Sequence, residues 1–261
     1  MKKTILISLC LLLTANLWAE TGRQIMDEQK KRHESSSEEE VIKMVLIDDK
    51  SGQKENRDMI RMSKKGSDGT FKYLARFESP ANVRGVTLLT WEKKGGEDDQ
   101  WLYMPAQGEK LKRIAGNNRR QYFMGTDFAY EDLGGEKLDD YNFNVAREED
   151  FKGAKCWMID TTPANDETKK SSGYSKREIW VCKDDYTTRK TDYYDKGGKL
   201  LKTAEPFDIV AAKGDMKRAS SVLMTHHQNK HKTLMGTKGR KINEGLDDSK
   251  FTERAVLEAS K

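Results

Sequence analysis

Three histidines near the end of the sequence are the residues whose type most directly invites a metal site. His226, His227 and His231 fall within six consecutive positions. In a β-strand the first two would point to opposite faces, and His227 and His231 would lie about 13 Å apart. Only a helix would bring His227 and His231 together, and residues 225–238 lack a helical apolar pattern. The spacing therefore favours a solvated polar strand over a metal centre.

A run of carboxylates is the second candidate for chemistry. Glu97, Asp98 and Asp99 could hold a cation, but they occupy a turn between two predicted strands, where carboxylates are usually solvated. The sequence also lacks Gly-x-Ser-x-Gly, His-Glu-x-x-His and a phosphate-cradling glycine loop. We therefore expect no catalytic centre, no metal and no cofactor, and a protein that is not an enzyme.

Two cysteines, Cys156 and Cys182, lie in segments that read as neighbouring strands, 154–162 and 177–185. An antiparallel register that pairs them also sets Trp157 opposite Val181, Ile159 opposite Ile179 and Met158 opposite Trp180, so every facing pair is apolar or contains sulfur. In an oxidising compartment an even pair of cysteines favours a disulfide. The sequence predicts a Cys156–Cys182 disulfide, with two unpaired core thiols as the alternative.

The N-terminus has the charged, apolar and polar order of a secretory signal peptide. Lys2 and Lys3 precede an apolar run at 5–13, and the expected cut follows Ala19. That run is too short to span a bilayer permanently. Without the two lysines the formal charge falls from +5 to +3, a mixed-charge surface that argues against nucleic acid as a partner. We expect a single periplasmic domain over residues 20–261.

Period-two alternation dominates the chain. At 71–78, for example, Phe71, Tyr73 and Phe77 share one face of a strand, and turn signals recur every 10 to 15 residues. These features predict a mainly β protein built as an antiparallel meander. Helices are expected only at 21–33 and 247–257, and an exposed loop at Pro163–Gly173. The remaining strands after residue 135 are expected at 139–149, 154–162, 177–185, 187–195, 199–205, 207–212 and within 218–242.

The stretch 98–133 departs from this pattern, because apolar and aromatic residues crowd where a connecting loop is normally polar. Residues 101–104 predict a wall strand, and residues 110–120 a basic hairpin. Residues 123–133 predict a mobile cover broken at Gly125. This apolar connection is the first indication of a binding function.

Five motifs carry a family resemblance. They are FESPANVRG at 77–85, DQWLYMPA at 99–106, KRIAG at 112–116, FMGTDFAYEDL at 123–133 and DSKFTER at 248–254. Together they resemble the outer-membrane lipoprotein-sorting proteins, the LolA-like family, over about residues 35–257. The resemblance implies a half-open antiparallel β-barrel with short lid helices over its concave face and an apolar cavity for acyl chains. It also implies an inner-membrane transporter of the resistance-nodulation-division type as partner.

The resemblance is to the broader branch of this family, because the chain is longer than the lipoprotein chaperone itself and its lid-switching arginine is not identifiable. We therefore expect a lipid or a lipidated protein as cargo, carried by a monomer between the inner-membrane transporter and the outer membrane. One alternative is a lipid-sensing or partner-binding module that reports envelope stress. Another is an integral outer-membrane barrel, which the helical pattern at 247–257 disfavours.

The expected site has two parts, a cavity with its lid and a basic edge. Adaptable methionine lining is expected from Met44, Met59, Met62, Met104 and Met124, although residues of this kind are often ordinary core. The basic edge would meet an anionic head group or an acidic partner, or is simply a solvated hairpin face. The cavity and lid residues are Phe71, Tyr73, Phe77, Leu88, Trp101, Tyr103, Met104, Phe123, Met124, Phe128, Tyr130 and Leu133, and those of the basic edge are Lys110, Lys112, Arg113, Arg119 and Arg120.

Overall fold

The structure is a computed structural model that describes residues 20–108 and 110–259. The predicted signal peptide lies outside the described residues. The described chain is mainly β, as predicted, with thirteen antiparallel strands in one sheet. The strands are β1 Ser37–Asp48, β2 Lys54–Lys65, β3 Phe71–Ser79, β4 Thr87–Trp91, β5 Asp99–Tyr103, β6 Leu111–Ile114, β7 Tyr141–Phe151, β8 Ala154–Pro163, β9 Lys176–Cys182, β10 Thr188–Tyr194, β11 Leu200–Lys213, β12 Met216–His226 and β13 His231–Ile242.

The sheet consists of two meanders joined through the first and last strands. Its order is β6-β5-β4-β3-β2-β1-β13-β12-β11-β10-β9-β8-β7, so every neighbouring pair except β1–β13 is consecutive in sequence. The two sheet edges, β6 and β7, therefore both come from the middle of the chain. Residues 115–140 connect these edges by crossing one face of the sheet, which we call the concave face.

Strand alternation gives the sheet two apolar faces. On β3, Phe77 packs on the concave face, whereas Leu74 packs on the opposite, convex face. The convex face of β2–β6 is covered by the C-terminal segment, which contains α3, Glu253–Glu258. Phe251, immediately before α3, is fully buried there against the strands.

Helix α1, Gly22–His33, covers the other half of the concave face, where its Ile25 packs on β7–β9. Thr21 and Gln24 form a capping box, which satisfies the free N–H groups at its start. A Cβ on Gly22 would lie 2.6 Å from the carbonyl oxygen of Phe143. Only glycine therefore lets the helix approach β7 so closely.

Two local predictions are wrong. The sequence predicted two strands around Pro206, but β11 is continuous from Leu200 to Lys213. The proline is tolerated because β10 pairs with β11 only as far as Ala204, so no neighbour there needs its missing N–H. The predicted loop at 163–173 contains a short helix, α2 Asp166–Ser171, which Asn165 caps by accepting from the Thr168 N–H.

The predicted cysteine register is confirmed, but the predicted disulfide is wrong. Cys156 faces Cys182, and the neighbouring partners are those expected from the sequence. Both cysteines are free thiols, and the Cys156 thiol donates to the Ala154 carbonyl. Burial raises the pKa of the Cys156 thiol to about 11, which favours the neutral form in this apolar cluster with Met158 and Trp180. The sequence alternative of two core thiols is the one observed.

The longest helix of the described chain is α1, with 12 residues. None of the helices between residues 20 and 259, Glu109 aside, has the length and apolar character needed to cross a bilayer.

Candidate functional site

The segment 122–133, which we call the lid, crosses the concave face. It folds as a tight turn, because Tyr122 and Ala129 form a β-bridge and the Phe123 N–H donates to the Phe128 carbonyl at 2.8 Å. Two 3₁₀ turns, Phe123–Gly125 and Tyr130–Leu133, complete it. The backbone reverses at Met124 and Gly125, where φ is +49° and +76°.

The lid inserts its aromatic side chains into an apolar floor formed by the concave face. The Phe123 ring stacks on Phe77 with centroids 5.1 Å apart, and Phe123 is only 1% exposed. Phe128 is also buried. The structure brings together ten residues that the sequence placed in the cavity, lid or methionine lining, namely Met44, Met59, Phe77, Leu88, Met104, Phe123, Met124, Phe128, Tyr130 and Leu133.

Three other predicted lining residues lie on the wrong face. Trp101 and Tyr103 pack on the convex face, where the Trp101 ring contacts Trp91 with centroids 4.8 Å apart. Met62 belongs to the same convex cluster. The prediction failed because it treated an apolar run as one wall, whereas alternation turns only Leu102 and Met104 of that run toward the lid.

Phe71 and Tyr73 lie on the concave face but outside the floor beneath the lid. Their rings stack 5.8 Å apart and line an open groove of about 460 Å³ between α1, β1–β3 and the hairpin of β11 and β12. The Tyr73 hydroxyl closes one end of this groove against Gly135, where a Cβ would meet it at 2.2 Å. The groove wall also carries charged residues, Glu38, Arg61, Lys217 and Arg218.

Ion pairs compensate the Arg61 and Arg218 charges of the groove. Glu40, which is 3% exposed, accepts from Arg61 at 2.6 Å and from Arg240 at 2.7 Å. Burial by itself raises the pKa of the Glu40 carboxyl, but Arg61 and Arg240 outweigh it and lower this pKa to about 2. Glu38 binds Arg218 at 2.9 Å. The groove therefore combines an apolar wall with a compensated ionic floor.

Arg57 ties the lid to β2. Its guanidinium donates to the Met124 carbonyl at 2.6 Å and lies 5.3 Å from the centroid of the Phe77 ring. The side chain is 6% exposed and also pairs with Glu55 at 2.8 Å. No pattern in the sequence marks this arginine, because only its inward position on β2 distinguishes it from other arginines.

Lys202 ties the lid to β11. It is 0% exposed, and its ammonium group contacts the Asp132 carboxylate at 2.5 Å and donates to the Asp127 carbonyl at 3.0 Å. Asp132 in turn accepts from the Tyr174 hydroxyl at 2.8 Å and from the Ala129 N–H at 2.7 Å. This buried ion pair was missed at the sequence level, where a lysine in a strand reads as solvated.

Two of the three histidines, His226 and His231, also hold the lid, which corrects the prediction of a solvated polar strand, whereas His227 bonds to Thr203 on β11. His226 is 3% exposed and bonds to the Tyr122 hydroxyl at 2.8 Å. His231 bonds to Asp127 at 2.7 Å. Burial lowers the pKa of His226, so the neutral ring is favoured. Across residues 20–259, apart from Glu109, no three His, Cys, Asp or Glu side chains cluster in a way that could hold a metal ion.

The residues of the predicted basic edge fall into an exposed group and a half-buried group. Lys110 and Lys112 are exposed, and Arg113 pairs with Asp99 at 2.5 Å. Arg119 instead approaches Asp98 at 3.9 Å, and Arg120 donates to the Ser171 carbonyl on α2 at 3.1 Å.

The acidic run is correspondingly less solvated than predicted. Asp98 is buried and pairs with Lys137 at 2.5 Å, and Asp99 pairs with Lys93 at 2.8 Å. These carboxylates therefore bind lysine and arginine side chains next to the lid connection.

Comparison with known proteins places this arrangement in a family. A domain from Vibrio parahaemolyticus, described as an outer membrane lipoprotein-sorting protein, is 31% identical with a TM-score of 0.84, covering 90% of this chain and 98% of that chain. The chain belongs to the LolA-like, lipoprotein-sorting family. A family model described as an uncharacterized protein matches residues 69–258 of this LolA-like chain. No curated protein matches it.

Two further solved structures support the LolA-like fold. A DUF1329 family protein from Desulfovibrio piger is 25% identical with a TM-score of 0.84, covering 90% of this chain and 97% of that one. A LolA superfamily protein from Nitrosomonas europaea is 19% identical with a TM-score of 0.71, covering 91% of this chain and all of that one, and it supports the fold alone. The predicted LolA-like architecture is confirmed.

Proposed function

We propose that this LolA-like protein is a periplasmic carrier or acceptor that binds acyl chains of lipids or lipoproteins against the concave face, under the lid. The observation that carries the proposal is the lid itself. Its Phe123 and Phe128 side chains occupy an apolar floor, while its backbone is held by polar tethers that can be exchanged. A carrier needs this combination, because it must hide an apolar cargo and later release it.

The energetic demand on such a carrier is large. Transferring a 16-carbon chain from water to an apolar site is worth roughly 12 kcal/mol at about 0.8 kcal/mol per methylene. An empty carrier must also keep its own apolar floor away from water. The lid satisfies that need in the closed form, and the methionines Met44 and Met59 in the floor can adapt to varied chains.

In this proposal the protein performs no chemical turnover. Cargo enters from an inner-membrane transporter of the resistance-nodulation-division type and leaves toward the outer membrane. The description of the Vibrio parahaemolyticus relative as an outer membrane lipoprotein-sorting protein supports transfer toward the outer membrane. The groove beside α1, lined by Phe71 and Tyr73, offers cargo a way onto the concave face next to the lid.

The first test is direct lipid analysis. Protein purified gently from the periplasm is expected to carry lipid that mass spectrometry of an organic extract identifies. After delipidation it should bind a fluorescent fatty-acid probe with saturation at one site. Delipidated protein that binds neither fatty-acid nor phospholipid probes would rule out the carrier function.

A tether variant links that binding to the lid. Arg57→Met removes the donor to the Met124 carbonyl, so the lid opens more readily and probe affinity should rise by about tenfold, since a hydrogen bond to a charged group contributes about 1.5–3 kcal/mol. Arg147→Met is the matched control, because that arginine is exposed and pairs with Glu149, away from the lid. Equal affinities of the two variants would mean that the probe does not bind beneath the lid.

A further inference from the structure

The surroundings of Lys202 depend on the lid. Its ammonium group has no exposure, and both of its oxygen partners, the Asp132 carboxylate and the Asp127 carbonyl, belong to the lid. The rings of Tyr122, Tyr174 and Tyr193 lie 5.1–5.3 Å from the ammonium nitrogen. Tyr174 and Tyr193 lie outside the lid, so they stay beside Lys202 when the lid moves.

The same lid supplies the apolar contacts of the neighbouring floor. Ala204, two residues along β11 from Lys202, belongs to the floor that Phe123 and Phe128 fill. Two residues span about 6.6 Å along a strand, so Lys202 lies at the border of this floor. The closed lid therefore presents a carboxylate to Lys202 and apolar rings to the adjoining surface at the same time.

We propose that the lid is an internal substitute for an anionic amphiphile, and that Lys202 binds the carboxylate or phosphate group of the cargo once the lid is displaced. This inference rests on the proposed function and specifies its ligand class. The acyl chain takes the place of Phe123 and Phe128 on the floor. The anionic group takes the place of Asp132.

The physical reason is the cost of an unpaired buried charge. A neutral amphiphile that displaces the lid would leave the Lys202 ammonium without its carboxylate, next to tyrosine rings and an apolar surface. A ligand with its own carboxylate or phosphate restores the ion pair. The other anchors of the lid, Arg57 and His231, do not impose this selection, because Arg57 keeps Glu55 and His231 is partly exposed.

The test measures the dissociation constants of two probes for the delipidated full-length protein. The probes are a fluorescent free fatty acid and the methyl ester of the same fatty acid. The fatty acid is expected to bind at least about tenfold more tightly than the ester, because the ester leaves Lys202 unpaired. Inorganic phosphate at millimolar concentration should not displace it, since phosphate lacks the chain. Displacement by phosphate, or equal affinities of acid and ester, would overturn the inference.

Substitution of the lysine should remove the preference without removing binding. In Lys202→Met the ratio of ester to acid dissociation constants should fall to about one, with ester affinity maintained or improved, since no ammonium remains to be paired. Lys199→Met is the charge-matched control, because Lys199 is exposed just before β11, and it should keep the wild-type ratio. A Lys202→Met protein that retains the full preference would overturn the proposal.

A lid variant keeps the proposal testable if Lys202→Met fails to fold. Asp132→Asn preserves the shape of the lid but weakens its hold on Lys202 in the closed form, so acid and ester should both bind more tightly, by the same factor, and the acid-to-ester preference should stay as in wild type. Unchanged affinities of both probes, or a lost preference, in Asp132→Asn would contradict the competition. If neither probe binds any form of the protein, the carrier function itself fails, which is a separate result.

Discussion

Glu40 shows how single residues of the concave face contribute to stability. Its carboxylate is almost fully buried between Arg61 and Arg240, which lower its pKa from 4.5 to about 2. A lowered folded-state pKa means stability that is complete above pH 4.5 and is lost as the pH falls toward 2. A shift of this size corresponds to about 3 kcal/mol of folding free energy.

Glu40→Gln is therefore expected to reduce the free energy of unfolding by about 3 kcal/mol at pH 7. The difference from wild type should shrink between pH 4.5 and pH 2, as measured by urea denaturation at several pH values. The exposed Glu148→Gln variant serves as control and should cost less than about 0.5 kcal/mol. A Glu40→Gln deficit that stays constant down to pH 2 would contradict the assigned ion pairs.

The inward-facing charged residues are the part of the structure that the sequence predicts least well. Alternation identified Phe77 as inward-facing, because its apolar character agrees with burial. It could not identify Arg57 or Lys202, whose inward positions oppose their usual preference for water. Their burial is compensated by lid carbonyl and carboxylate groups far away in sequence, and single-sequence patterns do not contain that information.

Among the elements, the lid depends on one backbone reversal. Gly125 has φ of +76°, and a Cβ there would meet no atom within 4 Å. Gly125→Ala should therefore cost about 1 kcal/mol from backbone strain alone, because L-residues disfavour this conformation. Native-state hydrogen exchange should show faster exchange confined to residues 122–130.

Gly134→Ala is the matched control for the same element. Gly134 lies just beyond the lid, has φ of −91°, and a Cβ would make an ordinary contact at 3.8 Å. Amide hydrogen exchange of residues 122–130 in Gly134→Ala should match that of the wild type. If both variants accelerate exchange equally, the effect comes from crowding and not from the backbone conformation at Gly125.

The position of the lid was predictable from the sequence, but its backbone conformation was not. The apolar run and the Gly125 break indicated a cover over the sheet, and the structure places residues 122–133 there. The internal conformation of the cover was not predicted, because the Tyr122–Ala129 bridge and the two positive φ angles fold the segment into a turn. Strands were predicted well because alternation is local, whereas the conformation of the lid is imposed by its contacts with the sheet.

The fold class and the family of the protein are both predictable from its sequence. Recurrent turns indicated an antiparallel meander, and five motifs indicated the LolA-like fold that the comparisons confirm. The pairing of the first strand with the last was not predicted, because neither the β1 nor the β13 sequence shows which strand lies beside it. That pairing determines which two strands become the sheet edges.

The β1–β13 pairing has a consequence for how the protein folds. Asp48 and His231 are the paired residues of β1 and β13 that lie closest in sequence, and they are 183 positions apart. All other strand pairs are made of consecutive strands. Loop closure over so long a distance is slow, so the two meanders should gain structure before they join. Pulsed hydrogen-exchange labelling during refolding should protect amides of β3–β4 and β8–β9 before those of β1 and β13.

Simultaneous protection of all four regions would instead indicate a single concerted step. If the two meanders do form first, β1 and β13 are temporarily edge strands of 12 residues each. Each is then paired on one side, with β2 or β12, and unpaired on the other. In the native molecule these strands lie at the centre of the sheet, each paired with a neighbouring strand along both edges. The half-folded molecule, and not the native one, is then the species most prone to pair with other chains and aggregate.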